Sequence, residues 1–254
     1  MKFEIVIIAT LRPVLLFKTL QSFNYNMFDG NIGDHDLIIN IDLVGVRNEE
    51  DIRAELNSVI GVINQFKFQN VVMRWADNPN FATAWFWCMA QLTEPLVFYL
   101  EEDWMLLTEV NLDAMLYEFM NDDTLAHLRL SQFPASDKTC KNWNKFTHWN
   151  GSFFEVEEND RLSIGWAGHP GFTRTNFLRQ AIGVMNFASN PEKQIKGKRY
   201  PCRMNNILLN NRFGVFTRPH CQPQIKDIGR QWMVDNGFQK KGSKAFFTTW
   251  ERAI

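Results

Sequence analysis

Apolar and β-branched residues gather in four short runs over the first hundred positions, and segments of helical spacing separate them. Residues 3–9 (FEIVIIA) are apolar except for Glu4, the pattern of a strand buried on both faces. A Thr10-Leu11-Arg12-Pro13 turn follows. Apolar positions 15, 16, 20 and 23 then predict a helix from Val14 to Phe23, with Pro13 at its first turn. Residues 29–36 (DGNIGDHD) have the composition of a loop. Residues 37–43 (LIINIDL) predict a second buried strand ending at Asp42. Apolar positions 52, 56, 59, 60, 63 and 66 predict a helix over 48–66 with Asn48 as its cap. Residues 70–75 predict a third strand, Asp77 to Asn80 a turn, and 81–92 a helix. Residues 95–100 (PLVFYL) predict a fourth strand, which runs directly into Glu101-Glu102-Asp103-Trp104.

Strands and helices that alternate in this way predict an α/β fold with a mostly parallel, Rossmann-type sheet flanked by helices. In such sheets ligands bind at the carboxyl ends of the strands. Thr10, Asp42, Asp77 and the run Glu101 to Asp103 all fall at those ends. Further along, the pattern predicts a helix over 109–121 and a strand over 125–131. Residues 134–163 predict a long functional loop with a hairpin near Phe153 to Val156. A glycine-rich turn spans Gly165 to Gly171, a helix Thr173 to Val184, and a basic loop 190–203. A short helix at 204–211 and a short strand at 214–217 precede about forty residues that read mostly as loop.

Composition narrows the class. The chain has 254 residues, enough for a sizeable core. No apolar run reaches the roughly 18 residues of a membrane span, and Ile5 to Ala9 is too short for a signal-peptide core, so a cytoplasmic protein without stable membrane insertion is expected. Cys88, Cys140, Cys202 and Cys221 show no CxxC spacing, which argues against a disulfide framework or a zinc site. The net charge of −1 conceals two opposed halves. Residues 1–126 hold 7 Lys+Arg against 19 Asp+Glu, whereas residues 127–254 hold 20 against 9. The first half suits a metal ion. The second suits a polyanionic acceptor or the donor phosphates.

Three consecutive acids after a buried strand repel one another unless a cation lies among them. Mg²⁺ or Mn²⁺ prefers carboxylate and phosphate oxygens, and would neutralise charge on a leaving diphosphate. The competing reading is a solvated acidic turn. The stretches IVIIATLRPVLLFKTLQSF, LIINID and NPNFATAWFWCMAQLTEPLVFYLEEDW together resemble the opening of the GT-A glycosyltransferases, in particular the large inverting family with many bacterial and phage enzymes. The resemblance covers residues 1–104 and is loose thereafter. It implies a GT-A-like fold, a loop-rich C-terminal acceptor region and a nucleotide-sugar donor, most simply a UDP-sugar. It also implies Thr10 and Arg12 in the donor pocket, with Asp42 at the nucleoside. Asp103 becomes the main metal ligand, with Glu101 beside it. Asp77 and Glu102 join the donor contacts. The motif departs from Asp-x-Asp by reading Glu-Glu-Asp.

The same resemblance implies a late metal or diphosphate ligand, here His220, and a C-terminal segment in which Lys226 and Arg230 clamp phosphate. It turns Trp166 and His169 towards the sugars. Inverting transfer also needs a base for the acceptor hydroxyl. The acidic candidates in the second half are Asp137, Glu155, Glu157, Glu158, Asp160, Glu192, Asp227 and Asp235, with His169 beside them. Asp227 and His169 are set with Asp103 as the catalytic group. Lys196, Lys198 and Arg199 lie in one of three basic patches, another of which interleaves Lys138, Lys141 and Lys145 with Trp143, Phe146, His148 and Trp149, a pattern of nucleic-acid contact. The chain is Asn- and Phe-rich and looks phage-like, which points to 5-hydroxymethyl pyrimidine in phage DNA as acceptor and the host cytoplasm as location. The alternatives are a transferase for surface polysaccharide or lipid-linked glycan, a non-catalytic nucleic-acid-binding protein, and a nucleotidyltransferase.

Overall fold

A computed structural model describes residues 1–44, 49–76, 78–134, 147–195, 202–242 and 248–252. The first half follows the alternation in the sequence. It runs β1 (Phe3–Thr10), α1 (Pro13–Asn26), β2 (Asp36–Asp42), α2 (Glu49–Gln65), β3 (Val71–Ala76), α3 (Phe81–Ala90) and β4 (Leu96–Glu101). Pro13 opens α1, where its fixed φ suits the first helical turn. The Asn80 side chain caps α3 by accepting from Thr83 N at 3.2 Å. Asn48, the expected cap of α2, lies outside the described residues.

The chain continues through β5 (Trp104–Leu106), α4 (Leu112–Asn121), β6 (Leu125–Leu130), β7 (Thr147–Trp149) and β8 (Phe154–Val156). Then come α5 (Arg161–Ile164), β9 (Gly171–Arg174), α6 (Thr175–Ile182), α7 (Pro191–Ile195) and α8 (Cys202–Leu209). The last elements are β10 (Arg212–Phe216), β11 (Ile225–Asp227), α9 (Gly229–Asp235), β12 (Phe238–Gly242) and β13 (Thr248–Arg252). The final forty residues are therefore not mostly loop. Their strands are three to five residues long and leave no periodic trace.

One nine-stranded sheet has the order β3-β2-β1-β4-β9-β6-β10-β8-β7. Strands β3, β2, β1 and β4 are parallel, β9 is antiparallel to both β4 and β6, and β6 is parallel to β10. Residue 173, expected in a helix, lies in β9; the helix starts only at Thr175. Strands from both sides of residue 126 share this sheet. Alternate residues of β1 serve two cores. Ile5, Ile7 and Ala9 pack with α1, α2 and α4, while Val6 and Ile8 pack with α3, α6 and α8. Burial on both faces explains the near-continuous apolar runs. Among the described residues no helix is long and apolar enough to cross a membrane.

Candidate active site

The strand order reverses between β1 and β4. From β1 the chain steps to β2 and β3 on one side, then returns to the other side for β4. Ligand crevices open at such reversals, beyond the carboxyl strand ends. Register fixes what lies there. Thr10 pairs with Asp42, Asp42 with Ala76, and Ile8 with Glu101. Thr10, Asp42 and the acidic run therefore meet at one edge. Asp77, one residue past β3, lies outside the described residues.

The three acids do not point the same way. Glu102 turns inward and is 3% exposed. Its Oε1 accepts from Thr10 N at 3.1 Å, Thr10 Oγ1 at 2.7 Å and Arg12 Nε at 2.9 Å, and also from Arg12 Nη2. Thr19 Oγ1 donates to the Glu102 carbonyl at 2.6 Å. Arg12, likewise 3% exposed, also donates to Asp103 Oδ2 at 2.9 Å and stacks its guanidinium over Trp232 at 5.6 Å. Burial alone would lower the Arg12 pKa, but attraction to Glu102 and Asp103 and their hydrogen bonds leave it raised. This corrects the expected roles of Arg12 and Glu102. They form a buried pair beneath the crevice and do not line it.

Glu101 and Asp103 remain at the crevice. Glu101 accepts from Tyr99 Oη at 2.9 Å. Burial raises its pKa well above the usual carboxylate value, and Asp103 and Glu192 raise it further. Burial pushes Asp103 up to about 6, with Glu102 and Asp227 adding to the shift and Arg12 opposing it. Asp42 is also pushed up to about 6 by burial, against a 2.9 Å hydrogen bond from Asn40 Nδ2. Burial is the leading cause in all three, because it disfavours the charged form.

Strand β11 brings the C-terminal segment beside them by pairing Asp227 with Trp104. Ile228 N donates to the Asp103 carbonyl at 2.8 Å, and a Cβ on Gly229 would fall within 2.8 Å of Asp103 Cβ and Cγ. The absence of a side chain at 229 lets α9 close on Asp103. Asp227 is engaged at both oxygens. Oδ1 accepts from Gly229 N and Arg230 N at 2.9 and 3.2 Å, and Oδ2 pairs with Arg230 Nε at 2.9 Å. It therefore holds the start of α9. Lys226 and Arg230 are exposed.

The glycine turn contributes differently from expectation. Trp166 is 1% exposed, with rings of Trp85 and Tyr99 against it at 6.0 and 5.7 Å, and its Nε1 donates to Thr173 Oγ1 at 3.3 Å. It has no open face for a sugar. His169 packs on Trp104 at 5.1 Å. Gly168 N donates to Glu192 Oε1 at 2.7 Å, and a Cβ there would lie 2.6 Å from that oxygen and 3.4 Å from Glu101 Oε1. Behind them, burial pulls the Arg129 guanidinium down to about 10, and Glu192 is the charge that pushes it back. Glu192 thus joins Glu101 at the crevice. In the sequence Glu192 is one acid among several in the second half, with no local motif around it. Lys196, Lys198 and Arg199 lie outside the described residues.

Among the described residues no three His, Cys, Asp or Glu side chains converge on a metal-sized site, so Asp103, Glu101 and His220 do not assemble as a set. His220 is exposed in the turn after β10, with φ of 63°. A Mg²⁺-type ion on a nucleotide substrate needs only one or two carboxylates, because phosphates and waters supply the rest. Glu101 and Asp103 fit that smaller demand.

No protein-family model matches the sequence, and no curated protein matches it. Solved structures do match, and the fold they share with this chain is GT-A-like. A mannosyltransferase from Pyrobaculum calidifontis, in complex with GDP-Man and Mn²⁺, is similar with a TM-score of 0.52 and 10% identity over 85% of this chain and 55% of its own. A CMP:2-keto-3-deoxy-manno-octonic acid synthetase complexed with CTP has a TM-score of 0.52 and 12% identity over 93% of this chain and 97% of its own. TarS from S. aureus has a TM-score of 0.47 and 13% identity over 87% of this chain. The chain spans 36% of that TarS chain and 55% of the mannosyltransferase.

Proposed function

We propose that this chain transfers a sugar from a nucleotide diphosphate sugar, a UDP-sugar in the simplest case, to an acceptor hydroxyl. One observation carries the reading. At the reversal between β1 and β4, the carboxylates of Glu101, Glu102 and Asp103 outnumber Arg12, which pairs with both Glu102 and Asp103. Mn²⁺ or Mg²⁺ held by Asp103 and Glu101 would supply the missing charge and neutralise a departing diphosphate. Thr10 and Asp42, at neighbouring strand ends, face the nucleoside. Glu192, held by Gly168 N, takes the acceptor proton; its place beside Glu101 supports that role. The solved mannosyltransferase with GDP-Man and Mn²⁺ has the same fold.

The test is nucleotide release from a panel of UDP- and GDP-sugars with and without Mn²⁺. Metal-dependent release of UDP or GDP that disappears in Asp103→Asn is the expected result. No release and no thermal shift from any donor plus Mn²⁺ would sink the reading. Nucleotidyl transfer is the second reading, favoured by the match over 97% of the CTP-bound synthetase. It predicts pyrophosphate release from CTP or UTP. The segment Thr10-Leu11-Arg12-Pro13 opposes it, because it lacks a glycine-rich phosphate loop and its Arg12 is buried.

For the acceptor, we propose 5-hydroxymethyl pyrimidine in DNA, with the work done in the cytoplasm of a phage host. The support is the excess of 20 basic over 9 acidic residues beyond position 126. Mass spectrometry of hydroxymethylated DNA after incubation with the active donor should find bases heavier by one sugar. Unchanged base masses, with donor turnover intact, would assign the acceptor to a glycan.

A further inference from the structure

The antiparallel ribbon of β5 and β11 leads from Asp103 and Asp227 to a second cleft. The ribbon is three residues long on each strand, roughly 10 Å at about 3.3 Å per residue. At its far end a cavity of about 1100 Å³ opens between the end of α1, the start of α4, the β7–β8 hairpin and the segment after β10. None of the residues discussed at the carboxylates lines it.

Two exposed rings reach this cleft, Trp149 at 37% and Tyr25 at 66% exposure. Trp149 is set on a stiff hairpin. It pairs with Phe154 across the strands, and their rings are 5.3 Å apart. The turn is tied by Asn150 Oδ1, which accepts from Ser152 N at 3.0 Å and Phe153 N at 2.9 Å. Gly151 takes the φ of 107° that this turn demands. A ring fixed in this way loses little freedom when something stacks on it.

The remaining lining mixes apolar residues, among them Phe28, Val110, Leu112 and Phe216, with polar ones. Thr217 is 5% exposed, and its Oγ1 has no hydrogen-bond partner among the described residues. A buried hydroxyl without a partner is costly, and a turn of its rotamer towards the cleft would let a ligand hydroxyl satisfy it. The charged lining residues are Asp29, Glu109, Asp113 and Glu118 against Arg218, so the cleft repels polyanions. The ligand these features describe has a flat C–H face for an aromatic ring, hydroxyls along its edges and no negative charge. That combination is a neutral saccharide.

We propose that the cleft at the far end of the β5–β11 ribbon is a saccharide-binding site, distinct from the donor crevice, that takes a neutral glycan chain. The full chain would be titrated calorimetrically, without donor or metal, with maltohexaose, cellohexaose, chitohexaose and laminarihexaose, and with pentalysine as the cationic control. At least one glycan should bind saturably. Trp149→Ala and Thr217→Val should each weaken that binding tenfold or more. Thr217→Val removes a hydroxyl that has no partner, so its melting temperature should not fall. Absence of glycan binding, binding undiminished in both variants, or preferential binding of pentalysine would each overturn the proposal. Donor turnover, assayed separately, does not enter these readouts, so either proposal can fail alone.

Discussion

Arg12→Met is the most direct test of how the crevice is supported. Arg12 and Glu102 are each 3% exposed. In the variant Glu102 keeps the two donors from Thr10 but loses its counter-charge, and Asp103 loses its 2.9 Å partner. Removing one member of a buried ion pair costs about 3–5 kcal/mol. Domains of this size lose about 2–4 °C of melting temperature per kcal/mol, so the loss should be roughly 6–20 °C. Adding Glu102→Leu removes the stranded charge. A buried pair replaced by apolar groups is often close to neutral, so the double variant should regain most of the loss. The assay is thermal unfolding of the wild type, both single variants and the double variant at neutral pH. A loss under roughly 3 °C for Arg12→Met, near 1 kcal/mol, would refute the reasoning. So would a double variant that melts below Arg12→Met alone.

Gly229→Ala should lower the catalytic efficiency of donor turnover by on the order of 10²-fold, because the methyl displaces Asp103; in an unconstrained helix the same change would stabilise by about 1 kcal/mol. Nucleotide-release kinetics together with melting would check both effects. Glu192→Gln keeps the acceptance from Gly168 N and should abolish transfer to acceptor while leaving the thermal shift by donor plus Mn²⁺ in place; loss of both would make Glu192 a binding residue only. Stability should also depend on pH through the Arg212 network. Burial would raise Glu155 and Asp122, but hydrogen bonds from Arg212 to Glu155 and from Thr124 to Asp122, with the Arg212 charge, hold both below the usual carboxylate range. Their stabilisation is complete above the ordinary values near pH 4 and is lost as pH falls through the lower folded values. Arg212→Met should therefore flatten the decline in melting temperature between about pH 5 and 3; an unchanged acid limb would count against the network.

Long elements were legible in advance and short ones were not. Strands β1 to β4 and helices α1 to α3 announce themselves because burial on both sheet faces forces long apolar runs with helical spacing between them. Strand β9 is four residues wedged between a glycine turn and α6, and Phe172, Phe177, Leu178 and Ala181 run together as one helical stripe. The ribbon of β5 and β11 is shorter still. At the site, sequence adjacency placed Glu101, Glu102 and Asp103 together, but the chain bends at the strand end and sends the middle acid inward to Arg12. Nothing in the local sequence distinguishes the three. Trp166 carried no sign of its burial, since an indole fits a core or a sugar face equally well.

The position of β9 has a consequence for how the chain is made. Strand β4 leaves the ribosome with its outer edge bare, and the strand that covers this edge is encoded some 70 residues later. At about 5–20 residues per second that interval is roughly 4–14 s. For that time a buried-type strand, LVFYLE, offers free backbone to any neighbour. A protein cut at residue 126 would keep that sticky flank permanently, so the acidic half should precipitate when expressed by itself and stay in solution only once residues to Arg174 are restored.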